Sequence, residues 1–242
     1  MIRDQHYRNK LPFRARGHAM LVELIGGVFD DIEQRLETQE VVRVLELGCG
    51  YGTVLFELKQ RYGGSVVLHG INRRREDGDA DILLRNGVER GLIAPDASPA
   101  ECLPPITYLD VADGLPFDDG TFDLVYSQVA WLYFSNKVGV LREVNRVLCA
   151  AGLAKIDADE LRPGVPPEYQ RLVEIWDDGR LLPFGDYLAR FGMSFAPATQ
   201  GEYLRFGKSP GFGDDLELVA EVDLSRLHHH WDGIKCVYRL NP

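Results

Sequence analysis

The sequence predicts an α/β fold: a mostly parallel sheet with helices on both faces and an antiparallel hairpin at the C-terminal end. Three observations lead there. Short β-branched runs alternate with helical patterns from about residue 41 to residue 158, the order that the βα units of a parallel sheet produce. A glycine-dense turn, Gly48, Gly50 and Gly52, stands between the first strand and the helix that follows. Two strand-like runs near the end flank Asp232 and Gly233, a strong hairpin signal.

The elements follow in order. The first 18 residues are basic and lack the apolar core of a secretory signal. Leu21, Leu24, Ile25, Val28, Ile32 and Leu36 then recur at helical spacing, which predicts an amphipathic helix. "VVRVLELG" (41–48) reads as a buried strand, and "VLFELKQRY" (54–62) as a helix stopped by Gly63 and Gly64. "SVVLHGI" (65–71) is a second strand. "DADILLRNGVERGL" (79–92) is a helix despite Gly87. After a proline-rich loop, "ITYLD" (106–110) and "FDLVYS" (122–127) are the third and fourth strands. "SNKVGVLREVNRVLCAAG" (135–152) is a helix with Ser135 as its cap and Gly152 as its end, and "LAKIDA" (153–158) is the fifth strand. Beyond residue 160 the composition shifts to Gly, Pro and aromatics, with one helix expected at 167–176. Strands are expected at "LELVAEVDL" (216–224) and "GIKCVYRL" (233–240).

Composition narrows the function classes. The chain has 242 residues, 45% hydrophobic, with 27 basic and 37 acidic side chains and a formal charge of −10. An acidic chain is ill suited to sequence-independent nucleic-acid binding. The one short basic run, "NRRRED" (72–77), reads as a solvated loop. Four widely spaced cysteines without a C-x-x-C predict neither a zinc site nor a disulfide framework. His228, His229 and His230 would alternate between the faces of a strand, so no metal site is expected there. No apolar run approaches the ~20 residues that span a bilayer. A reduced, cytoplasmic protein without a membrane partner is expected.

The glycine turn has the pattern E-x-G-x-G-x-G, Glu46 to Gly52. The dinucleotide fingerprint G-x-G-x-x-G would put its third glycine at position 53, which is Thr53. A pyrophosphate wants backbone N–H groups at a helix start. A carboxylate ahead of the glycines suits a ligand that ends in an ammonium group. A tight strand-to-helix turn without a ligand is the alternative.

"LELGCGYG", "YLDVADGLPFDDGTFDLVYSQ" and "LREVNRVLCAAGLAKI" together resemble the class I S-adenosylmethionine-dependent methyltransferases. The likeness is greatest to the small-molecule enzymes of the ubiquinone/menaquinone-biosynthesis type, over roughly residues 40–158. It implies a Rossmann-like sheet and S-adenosylmethionine as cofactor. Gly48, Cys49 and Gly50 would let the backbone approach its methionine part, and Glu46 would lie near its ammonium. Asp110 and Val111 would meet the adenine. Ser127 and Gln128 would lie near the sulfonium and a small-molecule substrate. Asp110 also suits an ordinary strand-end aspartate.

The pattern departs from the family at Asn72, where the second strand usually ends in an acid that holds both ribose hydroxyls. An amide offers one acceptor oxygen; Glu76 or Asp77 would compensate if the loop folded back. "CAAG" in place of "KPGG" touches only a turn. His18, Gln128 and Tyr133 are the candidates for catalysis, while His69 reads as a core histidine. The catechol-type enzymes of this fold carry acidic metal ligands after the fourth strand; Tyr126, Ser127 and Gln128 stand here instead. One domain, 1–242, is expected, with a cap region (1–40), a cofactor-binding core (41–158), a substrate-side insertion (159–213) and the hairpin (214–242). Two other readings stay open: a cofactor-binding relative that transfers no methyl group (a non-methylating cyclase or a regulatory partner), and a nicotinamide-dependent oxidoreductase.

Overall fold

The structure, a computed structural model, describes residues 2–158, 173–223 and 234–241. The β-branched runs form the expected parallel core. β1 (Val42–Leu47), β2 (Val66–Asn72), β3 (Ile106–Tyr108), β4 (Phe122–Ser127) and β5 (Leu148–Ile156) lie side by side in the order β3-β2-β1-β4-β5, all parallel. Strand alternation divides their side chains between two apolar layers. Val42 and Val44 join one cluster, and Leu45 and Leu47 join the other.

Helices cover both faces. On one side lie α2 (His18–Ile25), α3 (Phe29–Leu36) and α4 (Thr53–Tyr62), burying Leu21, Ile25, Ile32, Leu55 and Leu58. On the other lies α7 (Lys137–Val147), burying Val138, Leu141, Val144 and Val147. α5 (Ala80–Glu89) packs Leu83 on Phe56, and α6 (Pro99–Cys102) is one turn. α1 (Ile2–Arg14) has no counterpart in the sequence reading. The helix expected over residues 19–36 is two helices, because Gly26 closes the first in the left-handed region, at φ 73°.

Two boundaries move. Asn136 caps α7 instead of Ser135: its Oδ1 accepts the Gly139 N–H at 2.9 Å. The helix runs directly into β5 at Leu148, so Gly152 lies inside a strand and ends nothing. Of the helix expected at 167–176, Val173–Trp176 belong to β6 (Val173–Asp177); the rest lies outside the described residues. Here a V-x-I pattern that buries Val173 and Ile175 pairs with the last strand of the chain and overrides the helical reading.

β7 (Arg180–Leu182) pairs with β6, and α8 (Phe184–Ala189) follows. β8 (Ser194–Ala198) and β9 (Gly201–Gly207) then add an antiparallel pair to the central sheet beside β5. β10 (Leu216–Asp223) and β11 (Ile234–Leu240) pair antiparallel as expected, but in a second sheet, β10-β11-β6-β7. Cys236 and Tyr238 of that sheet share one apolar cluster with Ile156 of the first and Val140 of α7. The 232–233 turn and His228–His230 lie outside the described residues. Among those residues no helix is long and apolar enough to cross a membrane.

The strand order reverses between β1 and β4, so the chain leaves their C-terminal ends in different directions. A crevice opens there, where ligands of open α/β sheets bind. α2 and α3 are anchored to the sheet by Lys155 on β5, which is 6% exposed, pairs with Asp31 and donates to the Gly27 carbonyl at 2.9 Å. Lys155→Met leaves the Asp31 carboxylate without its partner. It is expected to lower unfolding free energy by about 3 kcal/mol in urea titrations, and Asp31→Leu added to it to restore most of the loss.

Candidate active site

A cavity of about 500 Å³ occupies the crevice, a size suited to a small ligand. Four chain segments wall it. They are the glycine turn after β1, the 71–77 segment, Leu109–Val111, and Gln128–Ala130 with Tyr133 and Phe134 beyond β4; the end of α1 closes the top. Glu46, Gly48, Cys49, Gly50, Asn72, Asp110, Val111, Gln128 and Tyr133 all line it.

The glycines answer to the protein's own backbone as well as to a ligand. Gly48 and Gly50 hold φ 74° and 54°, where a side chain is strained. A β-carbon on Gly48 would overlap that of Ala130, and one on Gly50 would lie 2.5 Å from the Arg14 carbonyl oxygen. That carbonyl accepts the Tyr51 N–H at 2.8 Å. The turn is thus compressed between α1 and the segment beyond β4.

Asn72 holds this turn by both ends of its amide. Its Oδ1 accepts the Gly50 N–H and its Nδ2 donates to the Gly50 carbonyl, each at 2.8 Å. The side chain lines the cavity, but its oxygen and one of its two N–H donors are engaged by the turn. Asp77 does fold back to the cavity, where it pairs with Arg14. The "NRRRED" run is therefore cavity wall and not merely a solvated loop: Arg73 and Arg74 line the space, and Arg75 stacks 4.8 Å over the Tyr108 ring.

Glu46 lies at the floor, 1% exposed. Its neighbour in the β1–β4 register, Tyr126, donates to it at 3.1 Å, and Gln128 Nε2 donates at 3.3 Å. Burial pushes its carboxyl up to about 8, against the two hydrogen bonds that favour the charged form. Gln128 Oε1 is buried with no partner among the described residues. A buried carboxyl that an adjacent cation would ionise and an unsatisfied neutral acceptor on one wall fit an ammonium group. Asp110 closes the opposite end: one oxygen accepts the Ala112 N–H at 3.1 Å and the other pairs with Arg73 Nε at 3.1 Å.

Two predicted residues stand elsewhere. His18 lines no part of the cavity. It is stacked on Phe29, and its Nε2 accepts the Val28 N–H at 3.1 Å, so burial between α2 and α3 lowers its pKa to about 4. Ser127 is fully buried and donates to the Leu47 carbonyl at 3.0 Å, which ties β4 to β1 beneath the cavity. His69 bonds Thr107 Oγ1 at 2.8 Å and meets Phe117 edge to face, a core position.

Sequence reasoning missed several residues. Lys10, Phe13, Arg14 and Arg16 come from α1 and the link after it. Their only signal was the basic N-terminal run. Val129 stands at φ 59°, a costly conformation for a β-branched residue. It is held there by Asp157, at the end of β5, whose Oδ2 accepts the Val129 N–H at 3.1 Å.

The Asn72 clamp sets an expectation for variants. Asn72→Ala removes both bonds to Gly50, and Asn72→Asp turns an oxygen towards the Gly50 carbonyl. Each is expected to weaken binding of S-adenosylhomocysteine about tenfold, from hydrogen bonds of about 1 kcal/mol each. Calorimetric titration checks this; tighter binding by Asn72→Asp would show that the side chain serves a ribose instead.

Comparison with known proteins bears on the same segment. Residues 45–156 match the methyltransferase domain family. The chain is 32% identical over 109 residues to a sarcosine/dimethylglycine N-methyltransferase of Halorhodospira halochloris, covering 45% of this chain and 34% of that one. It is 34% identical over 117 residues to a ubiquinone/menaquinone biosynthesis C-methyltransferase of Xylella fastidiosa, covering 47% and 41%. The chain thus spans about two fifths or less of these relatives' length. A solved structure from Methanococcus maripaludis, provisionally assigned as an S-adenosyl-L-methionine-dependent methyltransferase, shares the fold at TM-score 0.50 and 13% identity over 86% of this chain and 93% of that one. Over residues 45–156, the segment that supplies most of the cavity wall, the chain is thus similar to the methyltransferase domain family and to N- and C-methyltransferases.

Proposed function

We propose that the protein transfers a methyl group from S-adenosylmethionine to a small molecule. The observation that carries this is the acceptor wall under the glycine turn: buried Glu46 beside the unpartnered Gln128 Oε1. A dinucleotide's pyrophosphate placed on the same turn would hold that carboxyl in its neutral form and would meet in the Gln128 Oε1 an acceptor that cannot donate to it. An amino-acid ammonium would be welcomed.

Glu46 and Gln128 hold the ammonium in this reading, while Asp110 and the Val111 segment hold the adenine. Bound there, the cofactor supplies a methyl carbon made electrophilic by the adjoining sulfonium. The protein's work is then alignment and exclusion of water. Alignment of this kind is worth on the order of 7–11 kcal/mol. The α1 end excludes water from above. Val129, fixed by Asp157, sets the direction of the chain between Gln128 and Ala130 and so the shape of the acceptor end. Tyr133, 57% exposed and lining the cavity mouth, places a phenol where an acceptor's proton can be received or relayed.

Two outcomes test this. Label from methyl-labelled S-adenosylmethionine should appear in small acceptors, and the protein should bind S-adenosylhomocysteine but not NAD. Tight NAD binding would sink the reading, and cofactor binding without transfer to any acceptor would favour the non-methylating alternative. Glu46 gives the second outcome. Near neutral pH its raised pKa leaves the carboxyl mostly protonated, and an ammonium beside it favours the charged form. Binding at pH 7 should therefore release a proton, and affinity should climb as pH rises towards about 8. Calorimetry in buffers of different ionisation enthalpy reads the proton, which Glu46→Gln should abolish together with most of the affinity.

A further inference from the structure

The chain carries a formal charge of −10. Its main cavity nevertheless has five basic lining residues, Lys10, Arg14, Arg16, Arg73 and Arg74, against three acidic ones, Glu46, Asp77 and Asp110. S-adenosylmethionine does not account for this excess. Its ammonium and sulfonium outnumber its single carboxylate, so it enters as a net cation, which a basic lining opposes. The excess leaves room for a ligand that carries negative charge.

Two of the cations have partners on the cavity wall: Arg14 pairs with Asp77, and Arg73 with Asp110. Arg14 is also fixed against the glycine turn through its carbonyl, at the amino-acid end of the cofactor. Arg16 is placed differently. It sits on the link between α1 and α2, half-buried, and its electrostatic neighbours are Tyr133 and Asp157. Its guanidinium donates to the Phe13 carbonyl, one bond among the described residues for a group with five donors. Asp157 accepts the Val129 N–H on Oδ2 and favours the charged form of Arg16 from nearby. Burial lowers the pKa of Arg16, so the protein meets a desolvation cost to keep this cation at the acceptor end.

We infer that the methyl acceptor carries an oxyanion, a carboxylate or a phosphate, which Arg16 holds beside Tyr133. Lys10 and Arg74, exposed on the cavity lining, draw the anion in. The planar guanidinium fork matches both oxyanions. The anion is a handle and not the nucleophile, since pairing with a guanidinium withdraws the electron density that attack needs. This inference rests on the methyltransferase reading.

The test uses the whole chain saturated with S-adenosylhomocysteine. Benzoate, phenyl phosphate and neutral benzamide are titrated into it by calorimetry, and labelled methyl transfer is measured to small acceptors presented as acids and as their amides. At least one of the two anions should bind tenfold or more tightly than benzamide, with an affinity that falls as salt rises; which one binds better separates carboxylate from phosphate. Acids should be methylated at least tenfold faster than their amides. Arg16→Gln should bring both ratios near one while leaving affinity for S-adenosylhomocysteine within twofold, and Arg16→Lys should retain part of each. No preference for an anion over its neutral partner would overturn the inference, as would a preference that survives Arg16→Gln. A loss of S-adenosylhomocysteine affinity in Arg16→Gln would assign the cation to the cofactor and also overturn it. Failure of the unmutated protein to bind S-adenosylhomocysteine strikes the cofactor reading itself.

Discussion

Two hydrogen bonds between one side-chain amide and one peptide group hold the cavity in shape. Asn72, at the end of β2, grips Gly50 by its N–H and its carbonyl. This pins the turn after β1 to the neighbouring strand at the edge of the crevice. The turn in turn offers its Tyr51 N–H to the Arg14 carbonyl, and so fixes where α1 ends. Tyr51 stacks on Tyr7 of α1, and its own carbonyl accepts from Asn86 of α5 at 2.9 Å. Strand, turn, capping helix and flanking helix therefore share one polar junction. An acid at position 72 could serve a ligand directly but could not donate to Gly50. The amide gives up charge at this position and gains a reciprocal bond, while the ion pair of Asp77 with Arg14 brings a carboxylate back to the cavity from the next turn.

Charge is distributed against the average of the chain. The acidic excess lies elsewhere, while the cavity gathers guanidinium groups around one buried carboxylate. Glu46 sits beneath the glycine turn where no bulk water reaches it, and its two donors are the side chains of Tyr126 and Gln128. A carboxyl poised in this way exchanges a proton for a cation at little cost, since the desolvation is already part of the folded state. Arg16, near Tyr133 and Asp157, gives another part of the lining the opposite sign. On the proposed reading, such separation would orient a ligand pair before any contact specific to shape is made.

Much of this was legible in the sequence, for a physical reason. The parallel strands are short and rich in β-branched residues, and turn residues such as Gly48, Gly64, Pro105 and Gly120 lie close to them, so β1, β2, β3 and β4 fall within two residues of their expected bounds, and the glycine spacing pointed to the turn. Elements whose fate depends on distant partners were not legible. Val173–Trp176 alternates well enough for a strand, and the pairing with Cys236–Arg239 settles it. The helix over 2–14 contains Pro12 and has little apolar periodicity of its own; Tyr51, Asp77 and Arg85 supply its docking face. His18 was misplaced because proximity in sequence to a capping segment does not set side-chain direction: the ring turns inward to accept the Val28 N–H. Asn72 was located correctly on the wall, but its amide's commitment to Gly50 depends on a turn geometry that no local pattern encodes.

The capping helix also has a place in the order of folding. Its anchors are remote in sequence: Tyr7 reaches Glu89 across 82 residues, Asp4 meets Arg85 across 81, and Arg14 meets Asp77 across 63. The Asn72 grip on Gly50 spans only 22. Closing the longer loops costs more chain entropy and rewards it only once β1, β2 and α5 are in place. The floor of the cavity thus forms as a local event and its roof as a late one. During synthesis the capping helix lacks its full docking surface until the chain has extended past residue 89.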